Sequence, residues 1–338
     1  MPAPYGFETT ATEVTNDFSS NIQGKAVLVT GVTPNSLGSH FVETIAAHSP
    51  SLIILASRTQ AAMNITAAAI RTRSADVPIE TVVVDLGSLA SVRKAAATVL
   101  ALKVRIDVLV LNAGLMASPY SKTVDGFESQ FGICHLGHFV FGNTIIPSML
   151  RPGLKPRVVV VSSEGHQLGP VRFTDPGFTD GQDYDKWRAY GQAKTANNLY
   201  AWSLAEKLGS KGLEAYSLHP GGIMTNLVKH IDMQGGDDVP KMLEVYRSVG
   251  SPLGFPEHIK NLKFKSHEQG TATHMVAAFA DDFDANDNGK YLVDGHIATW
   301  DKVSPWARNS YDAERLWTLS ESMVGEMYRF QGQQCKTK

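Results

Sequence analysis

The chain alternates between short apolar runs and stretches in which apolar residues recur every three or four positions. Apolar runs of strand length lie at 24–31, 51–57, 79–86, 106–114, 156–163, 213–222 and 289–295. Helix-like segments lie between them, at 37–49, 60–72, 88–102, 125–150 and around residue 190. Continuous apolar runs are typical of strands buried on both faces, and their alternation with helices predicts a parallel sheet. We therefore predict an α/β fold, a doubly wound parallel sheet of about seven strands with helices on both faces.

Three stretches depart from this alternation. Residues 1–22 are predicted to form an irregular N-terminal arm, and residues 303–338 a helical tail. Residues 223–266 carry prolines and paired glycines in loop-like positions, so we expect a cap or lid over the sheet rather than a second domain. Because no linker rich in Gly, Pro or Ser divides the rest, residues 23–302, which include this cap, are predicted to be a single domain.

The composition narrows the class of protein. The 338 residues are 43% hydrophobic and 19% charged, as in ordinary soluble globular proteins. A net charge of −2 gives no electrostatic support for binding nucleic acid or an anionic membrane. The N-terminus lacks the apolar core of a signal peptide, and no apolar run reaches the ~20 residues that span a bilayer. Cys134 and Cys335 form no metal-type spacing and suit a reducing compartment, so we expect a cytoplasmic protein.

The first apolar run ends in a glycine-containing turn, TGVTPNSLGSH (30–40), that leads directly into a helix. Gly31 permits a tight turn, Gly38 permits close packing of helix and strand, and the backbone N–H groups between them could hold a pyrophosphate. The spacing is not G-x-G-x-x-G but is closer to a G-x-x-x-G-x-G turn lengthened by one residue, with Ser36 at the middle glycine and Leu37 after it. Taken alone, the turn fits either a dinucleotide site or an ordinary strand-to-helix connection.

The ends of the next three runs add candidate cofactor contacts. The second run ends in LASRT, with Ser57 and Arg58 where a site for an unphosphorylated dinucleotide carries a carboxylate. A guanidinium pairs with a 2′-phosphate, so Arg58 indicates NADP(H), whereas the alternative is a solvated arginine. The carboxyl ends of parallel strands share one edge of the sheet, where open α/β folds bind ligands. The third and fourth runs bring further candidates to this edge: Asp85, Leu86, Asn112, Ala113 and Gly114.

Tyr190 and Lys194 are four positions apart in a helical stretch, which places both side chains on one face. The fifth run ends at Ser162 and Ser163 on the same edge of the sheet. A hydroxyl, a phenol and an ammonium beside a dinucleotide suit hydride transfer to a carbonyl, whose developing oxyanion needs two hydrogen-bond donors. In this interpretation Tyr190 gives the proton and Ser163 holds the oxygen. Lys194 would lower the tyrosine pKa and bind the nicotinamide ribose, although the pair also fits an ordinary surface contact.

Seven ordered motifs resemble those of the short-chain dehydrogenases/reductases over about residues 22–300. They are TGVTPNSLG, VVVDL, LNAG, HLGHF, VVVVSS, YGQAK and HPGGIMT. HLGHF and the C-terminal EQGTATHMVAAF, GKYLVDG and ERLWTLSE are similar to the branch that includes retinol dehydrogenases and fungal secondary-metabolism reductases. The resemblance implies a Rossmann fold, catalytic residues Ser163, Tyr190 and Lys194, and a substrate cap over 223–266. It also implies cofactor contacts after the sixth run, at Pro220, Gly221, Ile223 and Thr225.

One motif departs from the family pattern, because Cys134 stands where this branch has an asparagine before HLGHF. In relatives that asparagine helps to hold a water on the proton path to the lysine, and much of the role belongs to its backbone carbonyl. Two interpretations are favoured, a tolerated substitution or a slowed or redirected site. A redox or nucleophilic role for Cys134 is disfavoured, because nothing nearby in sequence would lower its pKa. His135 and His138 are expected to pack or to form hydrogen bonds rather than to bind a metal, since no third ligand is suitably spaced.

Three functions are consistent with these residues. The leading hypothesis is an NADP(H)-dependent oxidoreductase that acts on a carbonyl or secondary alcohol of a medium-sized hydrophobic substrate. The second keeps the cofactor but reduces a C=C or C=N bond of a secondary metabolite. The third is a weakly active or inactive NADP(H)-binding regulatory protein, which Cys134 keeps open. Relatives often form oligomers through the two helices that here begin near 125 and 188, and the tail over 303–338 could cover that surface, so the oligomeric state stays open.

Overall fold

The fold is an eight-stranded, mostly parallel sheet with helices on both faces. The computed structural model describes residues 5–232, 236–250 and 263–330. The strands lie in the order β3-β2-β1-β4-β5-β6-β7-β8. Their bounds are β1 Ala26–Thr30, β2 Leu52–Ser57, β3 Ile79–Val83, β4 Val108–Leu111, β5 Arg157–Val161, β6 Glu214–His219, β7 Tyr291–Val293 and β8 His296–Ile297. Because β1 to β7 pair in parallel, the predicted sheet of about seven strands is confirmed.

The last strand lies outside the prediction. β8 pairs antiparallel with β7, and it is only two residues long, too short to leave a recognisable apolar run. Asp294 and Gly295 form the turn between the two strands with φ angles of 51° and 79°. Both angles are in the left-handed region, which tight two-residue hairpin turns require.

Helices cover the two faces of the sheet. They are α1 Ala11–Asp17, α2 Ser19–Ile22, α3 Leu37–Ile45, α4 Gln60–Arg73, α5 Leu89–Ala101, α6 Ser129–Phe131, α7 Gly137–Met149, α8 Lys186–Leu208, α9 Asp238–Ser248, α10 His267–Phe279 and α11 Ser310–Val324. The core on one face includes apolar residues of α3, α4 and α10, and the core on the other includes those of α5, α7, α8 and α11. Every position of β1 and β2 is buried, which explains their continuous apolar sequence. Among the described residues, no helix combines the length and the apolar character that a membrane span requires.

The N-terminal arm is more ordered than the irregular segment that we predicted. It contains α1 and α2, and Thr10 and Glu13 form a reciprocal capping box at the start of α1. Ala11 and Val14 are fully buried. Helices of seven and four residues span too few turns to show a periodic apolar pattern, so their stability depends on this burial.

The cap and the tail are described in part. Of the predicted cap, residues 233–235 and 251–262 lie outside the described residues, as do residues 331–338 of the tail. The described cap includes α9, which packs beside the start of α8. The described tail includes α11, which packs on α7 and α8. Trp317 of α11 contacts Phe139 of α7 and Tyr200 of α8. The two helices through which relatives often form oligomers are therefore in contact with α11.

Candidate active site

The turn after β1 is built around two glycines. Gly31 has a φ of 76°, and a Cβ on it would lie 2.8 Å from Ala113 Cα. A Cβ on Gly38 would lie 2.5 Å from the Gly31 carbonyl oxygen, so α3 packs directly on the strand end. Ser36 caps α3, since its Oγ accepts from the Ser39 N–H at 3.0 Å and donates to the Gly31 carbonyl at 3.0 Å. The predicted roles of Gly31 and Gly38 in turn and packing match this geometry, and Ser36 adds a cap.

Asn112 joins the ends of β1 and β4. Its Nδ2 donates to the Thr30 carbonyl at 2.9 Å and to the Gly31 carbonyl at 3.2 Å. The next two residues, Ala113 and Gly114, are half-buried at the same edge. A Cβ on Gly114 would lie 3.4 Å from Cys134 Sγ and 3.6 Å from Lys194 Nζ, so this glycine borders the catalytic candidates.

The remaining predicted contacts line the same edge. Ser57 is buried at the end of β2 and Arg58 is exposed beside it. Asp85 is exposed and accepts from the Gly87 N–H at 2.9 Å, and Leu86 is buried against α7. Beyond β6, the structure places four more predicted residues: Pro220 and Gly221 half-buried, Ile223 buried against α10, and Thr225 at the start of a short 3₁₀ helix.

Tyr190 lies in the first turns of α8, which Asp185 caps by accepting from the Trp187 and Arg188 N–H groups. Only 4% of Tyr190 is exposed. Its ring contacts Gly165, two residues beyond Ser163, and Ser163 hydrogen-bonds its hydroxyl. Burial raises the pKa of the Tyr190 phenol above its ordinary value, and the hydrogen bond from Ser163 opposes that shift.

Lys194 lies one turn further along α8 and is also buried. Its Nζ donates to the Val161 carbonyl at 3.1 Å and lies 5.7 Å from the centroid of the Tyr190 ring. Burial lowers the pKa of Lys194. The expected lowering of the Tyr190 pKa is therefore wrong for this structure, because burial of the phenol raises it. The predicted proximity of the two groups is present.

Cys134 occupies the π-helical turn Gly132–Leu136 between α6 and α7. Its Sγ accepts from the Leu115 N–H at 3.2 Å, and its carbonyl accepts from His138 Nδ1 at 3.2 Å. His138 Nε2 lies 2.9 Å from Thr30 Oγ1, and burial lowers the pKa of His138 to about 4, so the ring is neutral and accepts there. His135 Nε2 hydrogen-bonds Ser320 Oγ at 2.7 Å. The prediction that both histidines form hydrogen bonds is confirmed.

An apolar cluster surrounds Tyr190 on the side of the cap. Its buried members are Ala117, Leu168, Trp187, Tyr190, Val245 and Tyr246. Val245 and Tyr246 belong to α9, so the cap helix covers the catalytic candidate. Lys186 pairs with Asp238 at 2.5 Å, and Arg188 Nη2 donates to Ser248 Oγ at 2.8 Å, which attaches both ends of α9 to α8. Among the described residues, Trp187 Nε1 is buried without a hydrogen-bond partner.

Sequence reasoning missed two residues at this edge. Gly165 is needed because a side chain there would overlap the Tyr190 ring. Lys265 lies under the loop that follows β6, and a Cβ on Gly221 would lie 2.7 Å from Lys265 Cδ. Both contacts join segments that are far apart in sequence, and a lone glycine or lysine carries no local signal for them.

The comparisons with known proteins agree with this geometry. The family model for the short chain dehydrogenases matches residues 25–175. The short-chain dehydrogenase/reductase prx1 of Penicillium roqueforti is 36% identical over 259 residues, which cover 73% of this chain and 70% of the relative. Retinol dehydrogenase 12 of Mus musculus is 33% identical over 310 residues, 91% of this chain and 89% of the relative.

Solved structures show the same architecture. An uncharacterized protein from Mycobacterium paratuberculosis has a TM-score of 0.67 at 28% identity, over 92% of this chain and 98% of that one. The Pseudomonas aeruginosa RhlG/NADP active-site complex has a TM-score of 0.57 at 20% identity, over 82% and 98% of the two chains, and so shares the fold. The resemblance predicted from the motifs, including its retinol dehydrogenase-like branch with fungal reductases, is thereby confirmed.

Proposed function

The chain belongs to the short-chain dehydrogenase/reductase family, and we propose that it is an NADP(H)-dependent enzyme that interconverts a carbonyl and a secondary alcohol in a medium-sized hydrophobic substrate. Membership makes it an oxidoreductase that uses a nicotinamide cofactor. One observation carries the rest of the proposal, namely that Tyr190 is buried against Ser163, with Lys194 on the next turn, beneath an apolar cap. We assign this chemistry to a catalytic domain over 23–302.

The residues at the sheet edge fit a dinucleotide. Gly31 and Gly38 let α3 begin directly at the ends of β1 and β4, since a Cβ on either would lie within 3.0 Å of Ala113, Asn112 or the Gly31 carbonyl. The first N–H groups of α3, at Leu37 and Gly38, have no intrahelical partner, and a helix N-terminus attracts an anion such as a pyrophosphate. We assign the cofactor contacts to this turn, to the ends of β2, β3 and β4, and to the loop at 220–225.

The choice of NADP(H) rests on Arg58. Its side chain is exposed at the end of β2 and makes no hydrogen bond or ion pair with any residue that the structure describes. A guanidinium without a partner can bind a 2′-phosphate with two parallel hydrogen bonds, whereas a carboxylate at this point would repel it.

Each of the three catalytic candidates has its own role at or near the substrate oxygen. The bound nicotinamide supplies or accepts the hydride. Tyr190 gives the proton during reduction, and its raised pKa keeps the phenol protonated until the substrate oxygen becomes basic. Ser163 donates a second hydrogen bond to that oxygen. Lys194 stabilises the phenolate that remains, because its buried Nζ lies 5.7 Å from the centroid of the Tyr190 ring.

The cap points to the class of substrate. Apolar side chains pack around Tyr190, from Leu168, Trp187, Val245 and Tyr246, so a hydrophobic ketone or alcohol that approaches this residue gains free energy by burial against them. The indole N–H of Trp187 has no partner in the described part of the chain and is a donor for a second polar atom of the substrate.

A second candidate, an NADP(H)-binding protein with little turnover, is favoured by the hydrogen bonds of Cys134. Its thiol is engaged with Leu115 and its carbonyl accepts from His138, so the side chain does not offer the amide that relatives have at this position. The remaining hypothesis, a C=C or C=N reductase, uses the same cofactor site and differs from the carbonyl enzyme in the bond that it reduces.

Titration of the purified protein with NADPH and NADH, followed by a panel of hydrophobic ketones, tests these functions. We expect NADPH to bind at least tenfold more tightly than NADH, a difference of about 1.4 kcal/mol. We also expect NADPH consumption with at least one ketone and recovery of the corresponding alcohol. Tight binding without turnover on any ketone would favour the binding protein, and a saturated product from an enone would favour the C=C reductase.

A further inference from the structure

A buried lysine outside the catalytic group lies beneath the loop that follows β6. Lys265 connects the cap to α10, and only 1% of its side chain is exposed. Its Nζ pairs with Asp294 Oδ1 at 2.5 Å and lies 4.9 Å from the centroid of the Phe7 ring. A buried ammonium is costly unless it is paired, so this lysine occupies a specific place in the structure.

The lysine fixes the two glycines of the loop. The Lys265 N–H donates to the Gly222 carbonyl at 2.8 Å, and the aliphatic part of the side chain lies flat on Gly221. Gly221 has a φ of 100°, which a side chain would strain. Consecutive glycines have the greatest conformational freedom, and here a backbone hydrogen bond and an anchored side chain restrict it.

The N-terminal arm covers this arrangement from outside. Besides Phe7 on Lys265, the Tyr5 carbonyl accepts from His296 Nε2 at 2.7 Å. On the other side, the Thr12 N–H donates to Glu268 Oε2 at 3.0 Å. The arm is therefore bound both to the β7–β8 turn, which carries Asp294, and to α10, which follows Lys265.

We propose that Lys265 is a positioning residue, which with Asp294 and Phe7 holds the Gly221–Gly222 loop in its cofactor-binding conformation. Because Phe7 belongs to the N-terminal arm, this proposal gives the arm a role in cofactor affinity. The inference rests on the proposed function, which assigns this loop to the cofactor. A loop that is ordered before binding avoids the entropy cost of being ordered by the ligand.

The test compares dissociation constants for NADPH, measured by cofactor fluorescence without any carbonyl compound. Lys265→Met keeps the length of the side chain and removes its charge, and Asp294→Asn breaks the pair from the other side at a left-handed position that asparagine tolerates. Lys290→Met is the matched control, because it breaks a more exposed pair with Asp287 away from the loop. We expect the dissociation constant to rise about tenfold in the two loop variants and to stay within twofold in the control.

A steady-state measurement separates positioning from general destabilisation. At saturating NADPH the loop variants should keep the wild-type kcat and the wild-type KM for the ketone, and Phe7→Ala should raise the KM for NADPH without lowering kcat. Unchanged NADPH affinity in both loop variants would overturn the inference. An equal loss of NADPH affinity in the control Lys290→Met would overturn it as well. Wild-type protein that binds NADPH but reduces no ketone would contradict the proposed function, while the affinity comparison would still decide the role of Lys265.

Discussion

Replacing Gly165 with alanine should displace the catalytic tyrosine with little change elsewhere. A Cβ at this position would lie 2.7 Å from Tyr190 Cδ1 and closer still to Cε1, and 3.3 Å from Ser163 Oγ. Carbon atoms pack at about 3.5–4.0 Å, so the ring must move by roughly 1 Å. Little space is available for this movement, because Leu168, Trp187 and the cap helix α9 enclose the ring.

A misplacement of about 1 Å at a reacting group lowers the rate by about 10²-fold, which corresponds to about 2.7 kcal/mol in the activation free energy. We therefore expect kcat for ketone reduction to fall about 100-fold in Gly165→Ala. Overpacking of the buried ring should lower the free energy of unfolding by about 1–3 kcal/mol. The NADPH dissociation constant should change little, because Gly165 is not among the residues that we assign to the cofactor. Stopped-flow reduction, cofactor fluorescence and urea unfolding measure the three quantities.

Gly177→Ala is the control, since the nearest atom to its added Cβ is Asp175 Oδ1 at 4.0 Å and its φ lies outside the left-handed region. This variant should keep the wild-type kcat and stability. Retention of kcat within threefold in Gly165→Ala would refute the role that we give to the contact with Tyr190.

Three further predictions concern the cofactor, the buried histidine His166 and the cap. Arg58→Asp should weaken NADPH binding by about 10–100-fold and leave NADH binding within threefold, since a charged hydrogen bond contributes about 1.5–3 kcal/mol. An equal loss of affinity for NADPH and NADH would contradict the assignment of Arg58 to the 2′-phosphate. Burial lowers the pKa of His166 to about 4, so stability should fall as pH drops from about 6.5 towards 4, by up to about 1.4 kcal/mol per pH unit. Between pH 7 and pH 5, the free energy of unfolding measured in urea should fall less in His166→Gln than in wild type. Equal falls would exclude this histidine as a source of the pH dependence. Asp238→Asn breaks the pair with Lys186 that attaches α9, and it should raise the ketone KM up to about fivefold at unchanged kcat, whereas an unchanged KM would exclude the pair from substrate binding.

The sheet was predictable because its inner strands are buried on both faces and so leave continuous apolar runs. The arm helices and β8 were not, since each depends on contacts with distant segments rather than on its own periodicity. Ala11 and Val14 of α1 are stabilised by burial, and β8 exists because the Asp294–Gly295 turn folds it back on β7.

Much of the candidate site followed from topology, because parallel strands bring the residues after their carboxyl ends to one edge. Ser163, Tyr190 and Lys194 are neighbours there, as predicted, and their roles stay predictions. The pKa of Tyr190 was predicted wrongly, since sequence spacing shows a nearby charge but not the depth of burial. Gly165 and Lys265 were missed because each acts through a contact that only the folded chain creates.

The most direct test of the central claim is single-turnover oxidation of bound NADPH by a hydrophobic ketone, in wild type and in Tyr190→Phe. If Tyr190 is the proton donor, the variant should bind NADPH with unchanged affinity and lose turnover by at least 10²-fold, the lower range for a general acid. Wild-type rates in Tyr190→Phe, or a wild type that binds NADPH and reduces no ketone, would contradict the account.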